Sequence, residues 1–415
     1  MVVGIIGGGA SGMAAALAAA ENSNIEVLLL ERQARVGRKL LATGNGRCNL
    51  SNIHITPSSY HGENPSFSHY ALSKYDVSDT LRWFADLGLY TVAEENGRIY
   101  PYSDQANSVV DVLRLSLLKP NITAFLGAEV QRIKKDEQGF LLSCGDASYR
   151  CDKLIVACGG LAGTKLGGSM SGYKLLAKLG HKSTKLRPSL VQIKTSWPAI
   201  AALKGVRANC AIRILHNEKV FARSCGELQF TEFGISGPVV FEISRDVCSA
   251  DGSWNAILDM LPDWSDERLL KWLRARRETS LSVQELLTGL LHNRLGRVLI
   301  QSAGISMSKQ CAELSDYELQ SICTGVKCFE LALTEPMGMD SAQVTAGGIL
   351  TEQFDDKTME SRLVSGLYCC GELLDIDGDC GGYNLQWAFS SAYLAAWDIS
   401  KRYGVKKEDF GRFLL

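Results

Sequence analysis

The sequence predicts an α/β protein: a parallel-sheet domain with an inserted β-barrel-like domain and a small helical subdomain. Three observations predict it. The first thirty-one residues run apolar strand, glycine turn, alanine-rich helix, apolar strand, acid. From Ser189 the apolar pattern becomes short and alternating, and from about residue 265 it turns helical. Near residue 366 another short apolar run ends in glycine, so the chain returns to the layer where it began.

The opening comes first in the chain and in the argument. Val2, Val3, Ile5 and Ile6 form the strand, Gly7 to Gly12 the turn, Met13 to Ala20 the helix, and Ile25 to Leu30 the second strand. This is the Rossmann-like βαβ arrangement, with its GxGxxG turn, that holds a dinucleotide. Gly7 permits the tight exit from the strand. Gly9 lets the backbone approach a pyrophosphate, and Gly12 lets the helix pack on the sheet. The helix N-terminus offers free N–H groups to the phosphates. Glu31, nineteen positions after Gly12, can accept from ribose hydroxyls. The helix ends at Asn22-Ser23-Asn24, where asparagine can take a left-handed cap.

Length and composition bound the rest. The 415 residues suit two or three domains, and 46% hydrophobic with 21% charged residues is ordinary for a globular chain. A formal net charge of −1 gives no basic excess for nucleic acid. The first apolar run has no basic flank and breaks at glycines, so no signal peptide is expected there. No apolar run reaches the ~20 residues of a membrane helix, and the expected location is cytoplasmic. Thirteen cysteines without a CxxC pair read as free thiols in a reducing compartment, with no metal site expected.

Arg32 to Asn52 is a polar, basic, glycine-rich loop of the kind that holds ligands. Residues 67 to 88 read as two helices, followed by strands around Tyr90-Glu94 and Arg98-Tyr100. Asn107 reads as the N-cap of a helix to about Leu118. Strands are expected at Ile122-Phe125, Ala128-Ile133, Phe140-Ser143 and Lys153-Ala157, then a helix from Gly172 to Leu179. Further strands are expected near Val191/Ile193, at Ala211-Leu215 and at Lys219-Phe230, with Asn217-Glu218 as a hairpin turn. Helices then carry Leu269, Leu270 and Leu273, then Leu286, Leu287, Leu290 and Leu291, then Leu295 to Ile300. A helical turn at Asp316-Ser321 precedes a strand at Val326-Leu333 and another near Val344. The expected domains are 1–187 with 345–415 for the nucleotide, 188–262 with 323–344 for a β-rich substrate domain, and 263–322 for the helical subdomain.

The chain's last part reads as a strand, Gly366-Glu372, an acidic stretch to Asp379, then Gly381-Gly382 opening an amphipathic helix to about Tyr403. Those glycines repeat the device at Gly9: backbone N–H groups at a helix N-terminus facing something electron-rich.

Several stretches carry a family likeness: GGGASGMAAALAA, ERQARVGRKLLATGNGRCNLSN, ENGRIYP, the ACGG strand end, FTEFGISGP, AQVTAGGI and GLYCCGELLDIDGDCGGYNLQWAFSSAY. On these the sequence resembles the BaiN/RdsA-type family of bacterial NAD(P)/FAD-dependent oxidoreductases, over essentially its whole length. The resemblance implies a two-dinucleotide FAD domain with noncovalent FAD. Gly7, Gly9, Ala10, Ser11 and Gly12 would hold the pyrophosphate, and Glu31 and Arg32 would lie at the adenosine end. Arg38, Lys39, Thr43, Gly44, Asn45, Gly46, Arg47, Cys48 and Asn49 would line the flavin region, with Val130 and Gly159 contributing. Gly371, Glu372, Asp377, Gly382, Tyr383, Asn384 and Leu385 would contact the ribityl and isoalloxazine groups. One departure stands out: where the family continues Thr-Gly-Ser-Thr-Gly-Asp-Gly-Tyr, this chain has Leu166 to Tyr173, with Ser171 in place of the acid.

The implied activity is hydride transfer from NAD(P)H through flavin N5 to an activated C=C, an enone such as a dehydro-bile acid. An oxidase of a small amino-ketone is the alternative, and an RNA-modifying flavoprotein a third. No second GxGxxG with a following acid occurs, so NAD(P)H is expected as a transient donor. Tyr383 and Tyr100, with Tyr102, are candidate proton donors by residue type. Cys48 is either a redox thiol or a small side chain in a tight loop. The partner is a small-molecule substrate, with no nucleic acid and no membrane.

Overall fold

Five parallel strands form the central sheet, in the spatial order Leu367–Cys369, Lys153–Val156, Val2–Ile6, Glu26–Glu31 and Ile122–Leu126. The structure is a computed structural model and describes residues 1–250 and 252–403. Its two compact units are Met1–Arg187 with the described part of Gln343–Leu415, and Pro188–Ala342. Residues 404–415 of the expected nucleotide domain lie outside the described residues.

In the first unit the opening strand sits mid-sheet, with Glu26–Glu31 on one side and Lys153–Val156 on the other. Strands covered on both faces carry continuous apolar runs instead of alternation, and Val3, Ile5, Leu154, Ile155 and Val156 are fully buried. The Gly7–Gly9 turn, Glu31, Gly159 and Gly371 all follow the carboxyl ends of these strands. That is where an open α/β sheet binds ligands, at the point of reversed strand order.

The helix Ala10–Ala19 packs against the long helix Tyr383–Arg402. Both present small residues at buried positions, among them Ala15, Ala16, Ala392, Ala395 and Ala396, so their backbones can approach closely. A buried polar hub fixes the second helix. Gln386 Oε1 accepts from Ser51 Oγ (2.7 Å), while its Nε2 lies 2.8 Å from Thr80 Oγ1 and 3.1 Å from Asp76 O. This ties the helices Phe67–Lys74 and Val77–Asp86 to the loop that ends at Ser51.

The second unit holds a closed six-stranded antiparallel barrel: Ile193–Thr195, Gly234–Ser236, Lys219–Phe230, Arg207–His216, Trp254–Asp259 and Phe329–Pro336, closing on the first. Asn217 and Glu218 both take positive φ (49° and 67°), as the two-residue hairpin turn requires. The helices Asp266–Arg277, Asn293–Ser302 and Asp316–Lys327 share one apolar core with the barrel.

The elements depart from expectation in several places, and the helix Pro238–Val247 lies where only strands were expected. No left-handed cap forms at Asn22, because the first helix ends at Ala20 in right-handed geometry and Asn22 Oδ1 accepts from Asn24 N–H (3.0 Å). Asn107 is inside a helix that starts at Ala106 with Gln105 as N-cap. The strand expected at Ala128-Ile133 is Arg132–Asp136. Gly127 turns the chain with φ +71°, and Ala128 N–H hooks onto Glu31 O (2.9 Å), leaving Val130 in a loop. Ala147–Cys151 is a strand that its polar residues concealed. Leu286 to Leu291 lie in turns around Gly289, φ +86°, not on a helix. Val326 belongs to the helix Asp316–Lys327, since Leu319, Ile322, Cys323 and Val326 keep helical spacing; the strand begins at Phe329.

All thirteen cysteines are free. No described helix is long and apolar enough to cross a membrane. Among the described residues no group of three or more His, Cys, Asp or Glu could hold a metal ion.

Candidate active site

The glycine turn divides its residues by task. Gly7 takes φ +107°, and a β-carbon there would stand 2.4 Å from Ala157 O. At Gly12 a β-carbon would stand 1.7 Å from Gly7 O, so the helix seats directly on the turn. Gly9 differs: a β-carbon there would meet nothing within 4 Å. Gly159, φ +68°, is equally open. Two glycines therefore serve packing, and two leave room beside the strand ends. No side chain caps the helix Ala10–Ala19, whose first N–H groups lack intrahelical partners.

Glu31 is buried, and its carboxylate is already fixed in place. Oε2 accepts from Gly8 N–H (2.6 Å) and Oε1 from Gln33 N–H (2.6 Å). Each oxygen keeps capacity for a further donor. Arg32 donates to Gly167 O (2.7 Å), and Arg38 reaches Gln33 Oε1 (2.8 Å) at the surface.

Lys39 Nζ donates to Glu372 Oε2 (2.8 Å), while Glu372 Oε1 accepts from Thr345 N–H (2.8 Å). Thr345 Oγ1 in turn accepts from Ala162 N–H (2.9 Å). Gly371 sits on the turn: its N–H donates to Ser391 Oγ (3.0 Å), its carbonyl accepts from Trp387 Nε1 (3.1 Å), and a β-carbon would press on Ser11 Oγ. Ser11, Gly371 and Glu372 are thus drawn together.

The loop after Lys39 is a run of left-handed residues: Gly44 (φ 57°), Asn45 (φ 57°), Gly46 (φ 84°) and, after Arg47, Cys48 (φ 63°). The loop closes on itself: Arg47 N–H donates to Gly44 O (3.2 Å) and Cys48 N–H to Thr43 O (3.0 Å). Thr43 Oγ1 donates to Leu40 O (2.7 Å), and Asn49 Oδ1 accepts from Ile99 N–H (3.3 Å). Cys48 is fully buried, and that burial pushes its thiol up to about 12, so it is protonated at neutral pH.

Arg47 lies 3.8 Å above the Tyr100 ring and is ion-paired with Glu94 (2.7 Å) and Asp104. Tyr100 is buried, and burial raises its pKa. Tyr383 opens the long helix, its carbonyl accepting from Tyr60 Oη (3.1 Å) and its ring edge-on to Tyr60. Tyr102 is 79% exposed. Asn384 is committed to the acidic loop: Oδ1 accepts from Gly378 N–H and Nδ2 donates to Gly378 O, both 2.8 Å. Asp377 is fully buried and its backbone pairs with His61; Leu385 packs on the core. Gly382 takes φ +101°, with a β-carbon 2.3 Å from Ser51 O.

The structure thus brings together Ser11, Gly371 and Glu372 with Lys39, and Gly44 and Arg47 with Tyr100. It leaves Arg38 and Tyr102 at the surface and Val130 as the buried residue of a largely exposed loop. Residues not singled out from sequence are Asn52, whose Nδ2 donates to Gly381 O (3.0 Å), Thr345, Gln386 and Arg98. Asn52, Thr345 and Gln386 lay within the quoted stretches GNGRCNLSN, AQVTAGGI and GGYNLQW, but no pattern marked their side chains. Arg98 lay in view within ENGRIYP.

Residues 1–398 match the model of the HI0933-like protein Rossmann domain. The chain is 38% identical over 406 residues to the 3-dehydro-bile acid delta(4,6)-reductase of Clostridium scindens, covering 96% of this chain and 99% of that protein. It is 33% identical to the ribosomal RNA dihydrouridine synthase of Escherichia coli K12, over 95% and 97% of the two chains. The protein of the same name from Haemophilus influenzae is 32% identical, over 96% and 98%.

Proposed function

The chain belongs to the family of the HI0933-like protein Rossmann domain, and from that premise we propose that it is an FAD-dependent reductase. It uses NAD(P)H to saturate a carbon–carbon double bond conjugated to a carbonyl. The observation that carries the cofactor is the open ground before Gly9 and Gly159, flanked by the fixed carboxylate of Glu31. The substrate class follows the bile-acid reductase, a relative matched from end to end.

The residues fit FAD. The uncapped helix N-terminus at Ala10 and Ser11 would take the pyrophosphate. Glu31 would accept from the adenosine ribose, and the Gly44–Cys48 loop and the Gly382 helix start would flank the isoalloxazine. Bound FAD would supply a hydride acceptor and donor at N5, which is the cofactor's chemistry. The protein's part is to hold, orient and protonate. Lys39 and Glu372 hold the Thr43–Asn49 loop region and the returning strand end to one another. Tyr100, kept protonated by burial, and Tyr383 are the assigned proton donors for the substrate's α-carbon. A donor must come within ~2.6–3.2 Å of its acceptor in the complex.

A second reading has its own observation, the two ribosomal RNA dihydrouridine synthases. The uracil C5=C6 bond is also conjugated to a carbonyl, so the same cradle and hydride chemistry would serve a base in RNA. Anaerobic titration of the purified protein separates the readings. NADH or NADPH is expected to bleach the flavin, and a Δ4,6-unsaturated 3-dehydro bile acid to restore its colour. Restoration by a uridine-containing ribosomal RNA fragment instead selects the second reading. No bleaching by either nucleotide overturns both.

A further inference from the structure

Two arginines flank Tyr100, and they differ in one respect. Arg47 is neutralised by Glu94 and Asp104. Arg98, two residues before Tyr100 on the strand Arg98–Pro101, is partly buried, and its guanidinium has no carboxylate, carbonyl or ring partner among the described residues. A carboxylate is at hand: Glu94 N–H donates to Arg98 O (2.9 Å), yet the Glu94 side chain turns to Arg47. Leaving a charge partly desolvated and unpaired costs free energy. A site that diverts the nearby counter-ion elsewhere is arranged to keep its positive charge.

Arg98 points at a second positive feature. A β-carbon on Gly381 would stand 3.3 Å from Arg98 Nε and 3.4 Å from Asn52 Nδ2. Gly381 and Gly382 take φ +138° and +101° and lead into the twenty-residue helix Tyr383–Arg402, whose N-terminus no side chain caps. One turn along, Trp387 bonds to Gly371 O, and Gly371 abuts Ser11 at the glycine turn. The guanidinium therefore lies beside the start of the helix that, through Trp387 and Gly371, is seated on the glycine turn where the pyrophosphate would bind.

We propose that Arg98 is a flavin-facing residue: its guanidinium, beside the N-terminus of the helix Tyr383–Arg402, holds the negative charge that reduction leaves on the N1–C2=O edge. Hydride transfer from NAD(P)H would leave NAD(P)+ and an N5–H bond, and would place the electron pair on that edge. With a fixed cation there, no proton need be taken up at N1. This inference rests on the FAD assignment above and on nothing about the alkene.

The test uses sulfite on the purified holoprotein. Sulfite forms an S–N bond at N5 and leaves the same charge on the same edge, without NAD(P)H or alkene. Loss of the visible flavin band reports the adduct. R98Q is expected to weaken sulfite binding about 10–100-fold, the range of a lost charge-assisted hydrogen bond, with R98K staying within about threefold of wild type. Equal sulfite affinity in R98Q and wild type overturns the inference, as does an equal fall in R98K and R98Q, or no adduct in wild type. Should R98Q lose FAD, R98K decides: a retained adduct supports the assignment and its loss overturns it. A protein that shows this Arg98 dependence but reduces no alkene would overturn the proposed reaction alone.

Discussion

Lys39 and Glu372, 333 positions apart in sequence, are joined by a 2.8 Å hydrogen-bonded ion pair. Both side chains are partly exposed (30% and 19%), so the pair itself contributes at most about 1 kcal/mol to stability. Its consequence is positional, since Glu372 also fixes Thr345 N–H. E372A is expected to weaken FAD binding about tenfold, the scale of one lost charged hydrogen bond. E372Q, which keeps an acceptor for Thr345, should lose less. Fluorescence titration of apoprotein with FAD measures both; equal losses would show that Thr345 is irrelevant.

The glycines of the turn should separate folding from binding. G12A places a methyl 1.7 Å from Gly7 O and is expected to cost about 3 kcal/mol or more, with little folded protein recovered. G9A meets no protein atom, so it should melt like wild-type apoprotein while holding FAD poorly. Melting curves with and without FAD distinguish the two, and a G9A protein that retains full FAD would contradict the pyrophosphate assignment.

Cys48 should be chemically silent in the folded state. Burial raises its thiol to about 12, so at pH 8 the reactive thiolate is scarce and shielded. Iodoacetamide followed by peptide mass mapping should leave Cys48 unlabelled in native protein and label it in guanidinium chloride. Rapid native labelling would reopen the redox-thiol reading.

His181 gives a pH signature. It is buried, stacked on Phe354 and hydrogen-bonded to Ser361 Oγ (2.8 Å), and burial lowers its pKa below 6.5. The unfolded chain then takes up the proton first. The contribution of His181 to stability is therefore complete above about pH 6.5 and falls as pH drops below it, until the folded state also protonates. Melting temperature should fall between pH 7 and 5.5 by more in wild type than in H181Q, though H181Q is less stable throughout because it lacks the stack. Parallel curves would rule this linkage out.

The first unit was the more legible from sequence, because its signals are local. Gly12 owes its identity to Gly7 O within the same turn and Gly7 to its φ of +107°, and the six-residue pattern Gly7–Gly12 carries that information. The barrel hairpin at Asn217-Glu218 was readable for the same reason. Signals that depend on distant neighbours were not. Gln386 looks like any polar residue on an amphipathic helix, and only the folded chain shows Ser51 and Thr80 converging on it. Arg98 is conspicuous only against Arg47, since the loss of its counter-ion is a fact of three dimensions.

The two halves of the cradle also reach the world at different times. Ser11 emerges early in synthesis, but Gly371, which seats against it, follows 360 residues later, about 20–70 s at typical elongation rates. Until then the outer strand Leu367–Cys369 is missing and the edge of Lys153–Val156 lies bare. The nascent protein therefore waits with an unpaired sheet edge that invites chaperones or mispairing, and the seat that Ser11 shares with Gly371 forms only after that wait.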